Sequence, residues 1–142
     1  MKTLSYSLNL SVRFSETDAM GVVWHGNYLK FFEDAREGFG KKFGIEYLNI
    51  HKHGFFVPIV KSEMEHKASV YYGDEIEVHI DLVFLKAAKI KFLYKVYTKK
   101  DKILATTGST IQVFLDSEKR ELELNKPTFY SDWENKQEWT EN

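Results

Sequence analysis

NYLKFFEDAREGFGKKFG, residues 27–44, sets Tyr28, Phe32, Ala35, Phe39 and Phe43 at intervals of four, three, four and four. That spacing lines up one face of an α-helix. Asn27 stands directly before the first of them, where a side-chain oxygen can accept from a free N–H of the first turn. Gly44 stands where a helix can end in the left-handed conformation. A single helix with so many aromatic side chains needs burial over a wide arc, and a curved antiparallel sheet supplies it.

Strands surround this helix in the sequence. Leu4, Tyr6, Leu8, Leu10, Val12 and Phe14 alternate with Ser5, Ser7, Asn9, Ser11 and Arg13, the period of a strand with one buried face. After the helix, Ile45 to Gly54 shows no firm period and reads as a loop that can hold a short helical turn. Phe55 to Lys67 reads as a second strand, with Pro58 placing that part near an edge or a bulge. Ile76 to Phe84 gives a third, after the turn signal Gly73-Asp74, and Ile90 to Thr98 a fourth. The acidic residues Glu75, Glu77 and Asp81 on one and the basic residues Lys89 and Lys91 on the next suggest cross-strand charge pairs. Ile103 to Leu115 is the fifth, with small residues from Ala105 through Thr110 that would let the helix approach, Gly38 and Gly40 offering the same on the helix side. Phe129 and Trp133 are spaced for a short terminal helix, followed from about residue 135 by a tail too polar to be held firmly. The order is one domain over 1–142, an α+β arrangement of one long helix and an antiparallel sheet.

Composition narrows the function. With 20 basic and 21 acidic side chains, the net charge of −1 gives no field to hold a nucleic acid backbone. The chain has no cysteine, which excludes disulfides, zinc–thiolate clusters and a thiol nucleophile. No window approaches the ~20 mostly apolar residues of a membrane span, and the amino-terminal stretch alternates instead of forming a signal peptide. The expectation is a soluble cytoplasmic protein without nucleic acid or membrane partners.

Asp18 lies in the loop before the helix, and His25-Gly26-Asn27 leads into its first turn, where unpaired N–H groups carry a partial positive charge. Cleavage at an acyl carbonyl needs a group that attacks or activates water and donors that stabilise the developing oxyanion. Gly21 and Gly26 would let the loop backbone come close to a ligand. A loop Asp near a helix start is also an ordinary turn residue, and spacing alone does not separate the two roles.

The run from Val12 to Arg36, VRFSETDAMGVVWHGNYLKFFEDAR, resembles the signature of the 4-hydroxybenzoyl-CoA thioesterase family of hotdog proteins: Asp, then Gly-Val-Val-aromatic-His, a small residue and Asn-Tyr. The likeness extends more faintly through Pro58-Ile59-Val60 and the Tyr72-Gly73-Asp74 turn. It implies a hotdog fold, with the antiparallel sheet wrapped around the central helix. It also implies an acyl-CoA thioesterase in which Asp18 is nucleophile or general base and the N–H near His25 polarises the thioester carbonyl. It further implies a homodimer with paired sheets and a shared active site, often doubled to a homotetramer. Trp24 stands where such sequences often have Tyr, and Gly26 where Ala or Pro is common, which touches pocket shape and acyl specificity.

Gly21, Trp24, Gly26 and Asn27 are the expected substrate-binding residues of this segment, with Lys86 a candidate for the coenzyme A phosphates. His25 is assigned to catalysis through its backbone. Glu33 and Arg36 suggest an ordinary helix pair. His51 and His53 lack a third ligand at suitable spacing, so no metal is expected, and no cofactor beyond the coenzyme A of the substrate. Rival readings are an acyl-carrier-protein thioesterase, a hotdog hydratase or dehydratase, and a non-catalytic acyl-binding module.

Overall fold

β1 (Lys2–Ser11) carries the expected alternation and is followed by a 3-10 turn (Phe14–Glu16), then α1 (Asn27–Phe43) and α2 (Tyr47–Lys52). The computed structural model describes residues 1–142. β2 (Phe55–Phe56), β3 (Ile59–His66), β4 (Glu75–Val83), β5 (Lys89–Thr98), β6 (Leu104–Val113) and β7 (Leu115–Asp116) come next, and α3 (Thr128–Asn135) and β8 (Thr140–Glu141) close the chain. The main sheet has six strands in the order β3-β6-β5-β4-β1-β8, every neighbour antiparallel, and β2 pairs with β7 apart from it. One long helix against one antiparallel sheet is the α+β hotdog arrangement.

The aromatic face of α1 explains the wrapping. Tyr28, Phe31, Phe32, Ala35 and Phe39 are buried against Ile76, Val78, Ile80 and Leu82 of β4 and Phe92, Tyr94 and Val96 of β5. Phe32 stacks on Tyr94 with ring centroids 4.1 Å apart. Gly108 of β6 lies under the same ring: a Cβ there would be 2.6 Å from Phe32 and 2.9 Å from the Glu63 carbonyl oxygen. The small-residue run thus gives the helix its close approach. The helix glycines do not reciprocate, because Gly38 faces the Tyr6 ring of β1 and Gly40 faces the backbone of Ile45 and Glu46. Gly44 ends α1 with φ +70°.

Four further expectations are corrected. The strand expected over Phe55 to Lys67 is broken at Val57-Pro58: Pro58 has no N–H to give a ladder, and the register shifts between Ile59 and Lys61. Charge pairs between β4 and β5 do not form. The register sets Glu77 against Tyr97, Asp81 against Leu93 and Lys91 against Val83. Asp81 turns instead to Ser5 and His79, the latter at 3.2 Å. Asn27 is not the cap of α1 but its first residue, Gly26 being the cap. The carboxyl-terminal tail is held: β8 pairs with β1, and Trp139 packs on Phe84 with centroids 5.4 Å apart.

The outer side of β3 pairs with no strand, and nearly all of its residues are exposed. No helix is long and apolar enough to cross a membrane.

Gly108→Val should overpack the Phe32 contact, where one neighbour is backbone and cannot move aside cheaply. We expect a loss of about 1–3 kcal/mol, read by thermal unfolding. A melting temperature equal to wild type would refute the close-packing account.

Candidate active site

Asp18 opens a tight hairpin. Thr17 bridges Val23, the Asp18 N–H donates to the Val22 carbonyl at 2.9 Å, and the Gly21 N–H donates to the Asp18 carbonyl at 3.0 Å. Gly21 has φ +76°, a conformation that side chains with a Cβ rarely adopt, so the loop is a turn followed by one left-handed residue. The Asp18 Oδ1 accepts from the Met20 N–H at 2.8 Å, as a turn aspartate does. Its Oδ2 accepts no hydrogen bond from the chain, and the residue is only half-buried. One oxygen shapes the loop while the other stays open to a ligand.

The hairpin is pinned on two sides. Val22 bridges Tyr71, and the Val23 N–H donates to the Val70 carbonyl at 2.7 Å, tying it to the segment before β4. Glu16 ties it to the helix. Only 4% exposed, its carboxylate accepts from the Arg13 N–H at 2.7 Å and the Lys30 ammonium at 3.0 Å. Its carbonyl accepts from the Trp24 N–H at 3.0 Å and the Asn27 Nδ2 at 2.8 Å. Sequence reasoning missed Glu16, because nothing in its spacing reveals that a carboxylate beside Asp18 will be buried under a lysine fourteen residues away.

At the start of α1, the Asn27 and Tyr28 N–H groups turn back onto the Trp24 and His25 carbonyls at 2.9 and 3.3 Å. The N–H groups of His25 and Gly26 donate to no acceptor in the chain. These are the orphan donors of a helix start, where the backbone dipoles favour negative charge. The His25 imidazole makes no hydrogen bond and lies 4.9 Å from the Trp24 ring, centroid to centroid. The Trp24 indole also covers Gly26: a Cβ on Gly26 would come within 2.1 Å of it.

Asp18, Gly21, Trp24, His25, Gly26 and Asn27 are therefore brought to one hairpin and helix start, whereas Lys86 is not. It follows the far end of β4, and nine strand residues at ~3.4 Å each put it roughly 30 Å from the hairpin side. Glu33 and Arg36 form no ion pair. The Arg36 guanidinium turns inward and donates to the Tyr94 hydroxyl at 3.0 Å, and that hydroxyl shares a 2.7 Å bond with Thr110. Burial pushes the Tyr94 hydroxyl above its ordinary pKa, against the opposing pull of the Arg36 charge. A cavity of about 450 Å³ lies between α1, α2 and the sheet, lined by Arg36, Phe39, Leu48, Ile59, Phe92 and Tyr130 among others and by no residue of the Asp18 hairpin.

The model of the thioesterase-like superfamily matches residues 12–136. The chain belongs to that superfamily. It is an enzyme of the thioester hydrolase class. A candidate esterase of Aquifex aeolicus is 37% identical over 99 residues, covering 70% of this chain and 76% of the relative. The Bacillus subtilis protein YneP, by its name a candidate acyl-CoA thioesterase, is 31% identical over 109 residues, covering 76% of this chain and 79% of its own. Among solved structures, the DHNA-CoA thioesterase of Staphylococcus aureus superposes with a TM-score of 0.83 at 27% identity, over 92% of this chain and 87% of that one.

A Cβ at position 26 would meet the far end of the Trp24 ring, a half-exposed side chain that can swing aside. Gly26→Ala should therefore turn the indole at little cost, leaving the thermal stability within about 0.5 kcal/mol of wild type while shifting the Trp24 fluorescence. A larger loss that Trp24→Ala removes would show that the ring is held in place.

Proposed function

We propose that this chain hydrolyses an acyl-CoA thioester to the free acid and coenzyme A. The observation that carries the reading is an Asp18 carboxylate with one unengaged oxygen on a hairpin pinned beside the two undonated N–H groups of His25 and Gly26. The thioester carbonyl oxygen would accept from these N–H groups, which gain strength as negative charge builds on it. Asp18 then acts by one of two routes. As general base it takes a proton from water, whose oxygen bonds to the carbonyl carbon as the C–S bond breaks. As nucleophile it bonds to that carbon, expelling the thiolate, and water hydrolyses the resulting anhydride. In both, water supplies a hydroxyl to the acid and a proton to the thiol, so the balance closes without a metal or redox cofactor.

A homodimer, or a tetramer made of two, is part of this reading. β3 leaves a sheet edge open, which a second copy can extend symmetrically. The cavity favours sharing as well. Arg36 is ten residues along α1 from Gly26, about 15 Å at the helical rise, so the hairpin of a second copy is a natural source of the reacting carboxylate. A coenzyme A contact at Lys86 would likewise have to involve another chain. Acyl-CoA is preferred to an acyl carrier protein ester by the relatives named for CoA substrates.

Asp18→Asn tests the chemistry, since Asn keeps the Oδ1 acceptor for Met20 and loses the base. Assayed for free-thiol release on the best acyl-CoA, the variant should lose about 10² to 10⁴ in kcat as a missing general base, with little change in melting temperature. Near-normal kcat in the folded variant would reject Asp18 as the reacting group.

A further inference from the structure

Arg36 carries a full charge into the molecule without a counter-ion. No carboxylate of the chain lies within 4.0 Å of its guanidinium. Of its several N–H donors, the chain engages one, at the neutral Tyr94 hydroxyl 3.0 Å away. An arginine that gives up part of its hydration normally recovers it from a carboxylate or from several oxygen acceptors. Here the neighbouring space is the cavity of about 450 Å³, whose buried lining residues include Phe39, Ile50, Phe92 and Tyr130, all apolar or aromatic. Glu33, Glu37, Lys41 and Glu46 also border it, but all four are exposed and face water, where their fields are screened. Gln112 lines it too, but its Nε2 is already given to the Val57 carbonyl at 2.8 Å, which leaves Arg36 as the partly buried cation of an apolar pocket, the form of a site for a small organic group.

We propose that this cavity receives the acyl part of the substrate, and that Arg36 selects acyl groups with an apolar body whose far end carries an acceptor oxygen, a carboxylate or a hydroxyl. Arg36 is then a specificity residue of the hydrolase. The inference rests on the reading of the chain as an acyl-CoA hydrolase. Tyr94 and Thr110 act as its support: the bonded hydroxyl pair holds one side of the guanidinium, whose remaining donors have no partner in the chain beside the cavity that Arg36 lines.

Two matched pairs test it: suberoyl-CoA against octanoyl-CoA for a terminal carboxylate, and 4-hydroxyphenylacetyl-CoA against phenylacetyl-CoA for a hydroxyl. The wild type should favour the oxygen-bearing member of at least one pair by about 10- to 100-fold in kcat/KM, the range of one hydrogen bond to a charged group. Arg36→Met keeps an aliphatic side chain and should bring that ratio close to one, and Arg36→Lys should restore part of a carboxylate preference. Because each ratio is measured within one protein, loss of stability alone does not move it. Binding of free suberate and octanoate to Asp18→Asn, followed by calorimetry, reads the pocket without turnover. Turnover of none of the four esters would sink the hydrolase reading, while a suberate preference abolished by Arg36→Met would still support the role of Arg36. No preference in either rates or binding, or one unchanged in Arg36→Met, overturns the inference. So does dissociation of the oligomer in Arg36→Met with the ratio unmoved, since Arg36 would then serve a carboxylate of the second copy.

Discussion

The contact of Phe32 with Tyr94 and Gly108 is the point on which the fold turns. A helix that presents Tyr28, Phe31, Phe32 and Phe39 cannot leave them in water, and fully burying each contributes about 1.5–3 kcal/mol. The sheet can take them only if it lets the helix close. Gly108 supplies the clearance on β6, and Tyr94 on β5 supplies the ring against which Phe32 is stacked. With α1 fixed there, its first turn has a definite position, and so do the N–H groups of His25 and Gly26. The Asp18 hairpin is then tied to that turn by Glu16, which joins Arg13, Trp24, Asn27 and Lys30 through one buried residue.

Much of this was legible in the sequence because it is local. Periods of two and near 3.6 located β1, β4, β5 and α1, Gly44 marked the end of the helix, and the small-residue run on β6 marked the close approach. What was not legible depends on which distant residue ends up opposite which. Acidic β4 and basic β5 invite a pairing, but the hairpin register sets Asp81 against Leu93 and turns it toward Ser5 of β1. Asn27 has a capping side chain, yet its amide is drawn to the Glu16 carbonyl eleven residues back, which places it within the helix. Pro58 signalled an irregularity but not that two residues would leave the main sheet to pair with Leu115 and Asp116. Of the candidate site, the motif residues gathered as expected, while Glu16 and the inward Arg36 became visible only with their partners.

In the proposed site the same residues that shape the loop also offer groups to a ligand, which is why spacing alone could not separate the two roles. Asp18 holds its turn through Oδ1 and presents Oδ2. Gly21 allows the left-handed corner, and Gly26 gives room to an indole. A short hairpin built in this way places a carboxylate without burying it deeply, so the group keeps access to water, which either route of hydrolysis consumes.

That indole also makes the site optically addressable. The chain has three tryptophans, and Trp133 and Trp139 are partly buried with their ring N–H groups bonded to the carbonyls of Phe43 and Glu134. Trp24 is 51% exposed and lies against His25 at the helix start. An exposed indole emits to longer wavelength than a buried one, so the red side of the emission band weights Trp24 over the other two rings. Occupation of the helix start changes the solvent around it, so the intrinsic fluorescence of the unlabelled protein can follow ligand arrival and departure in real time.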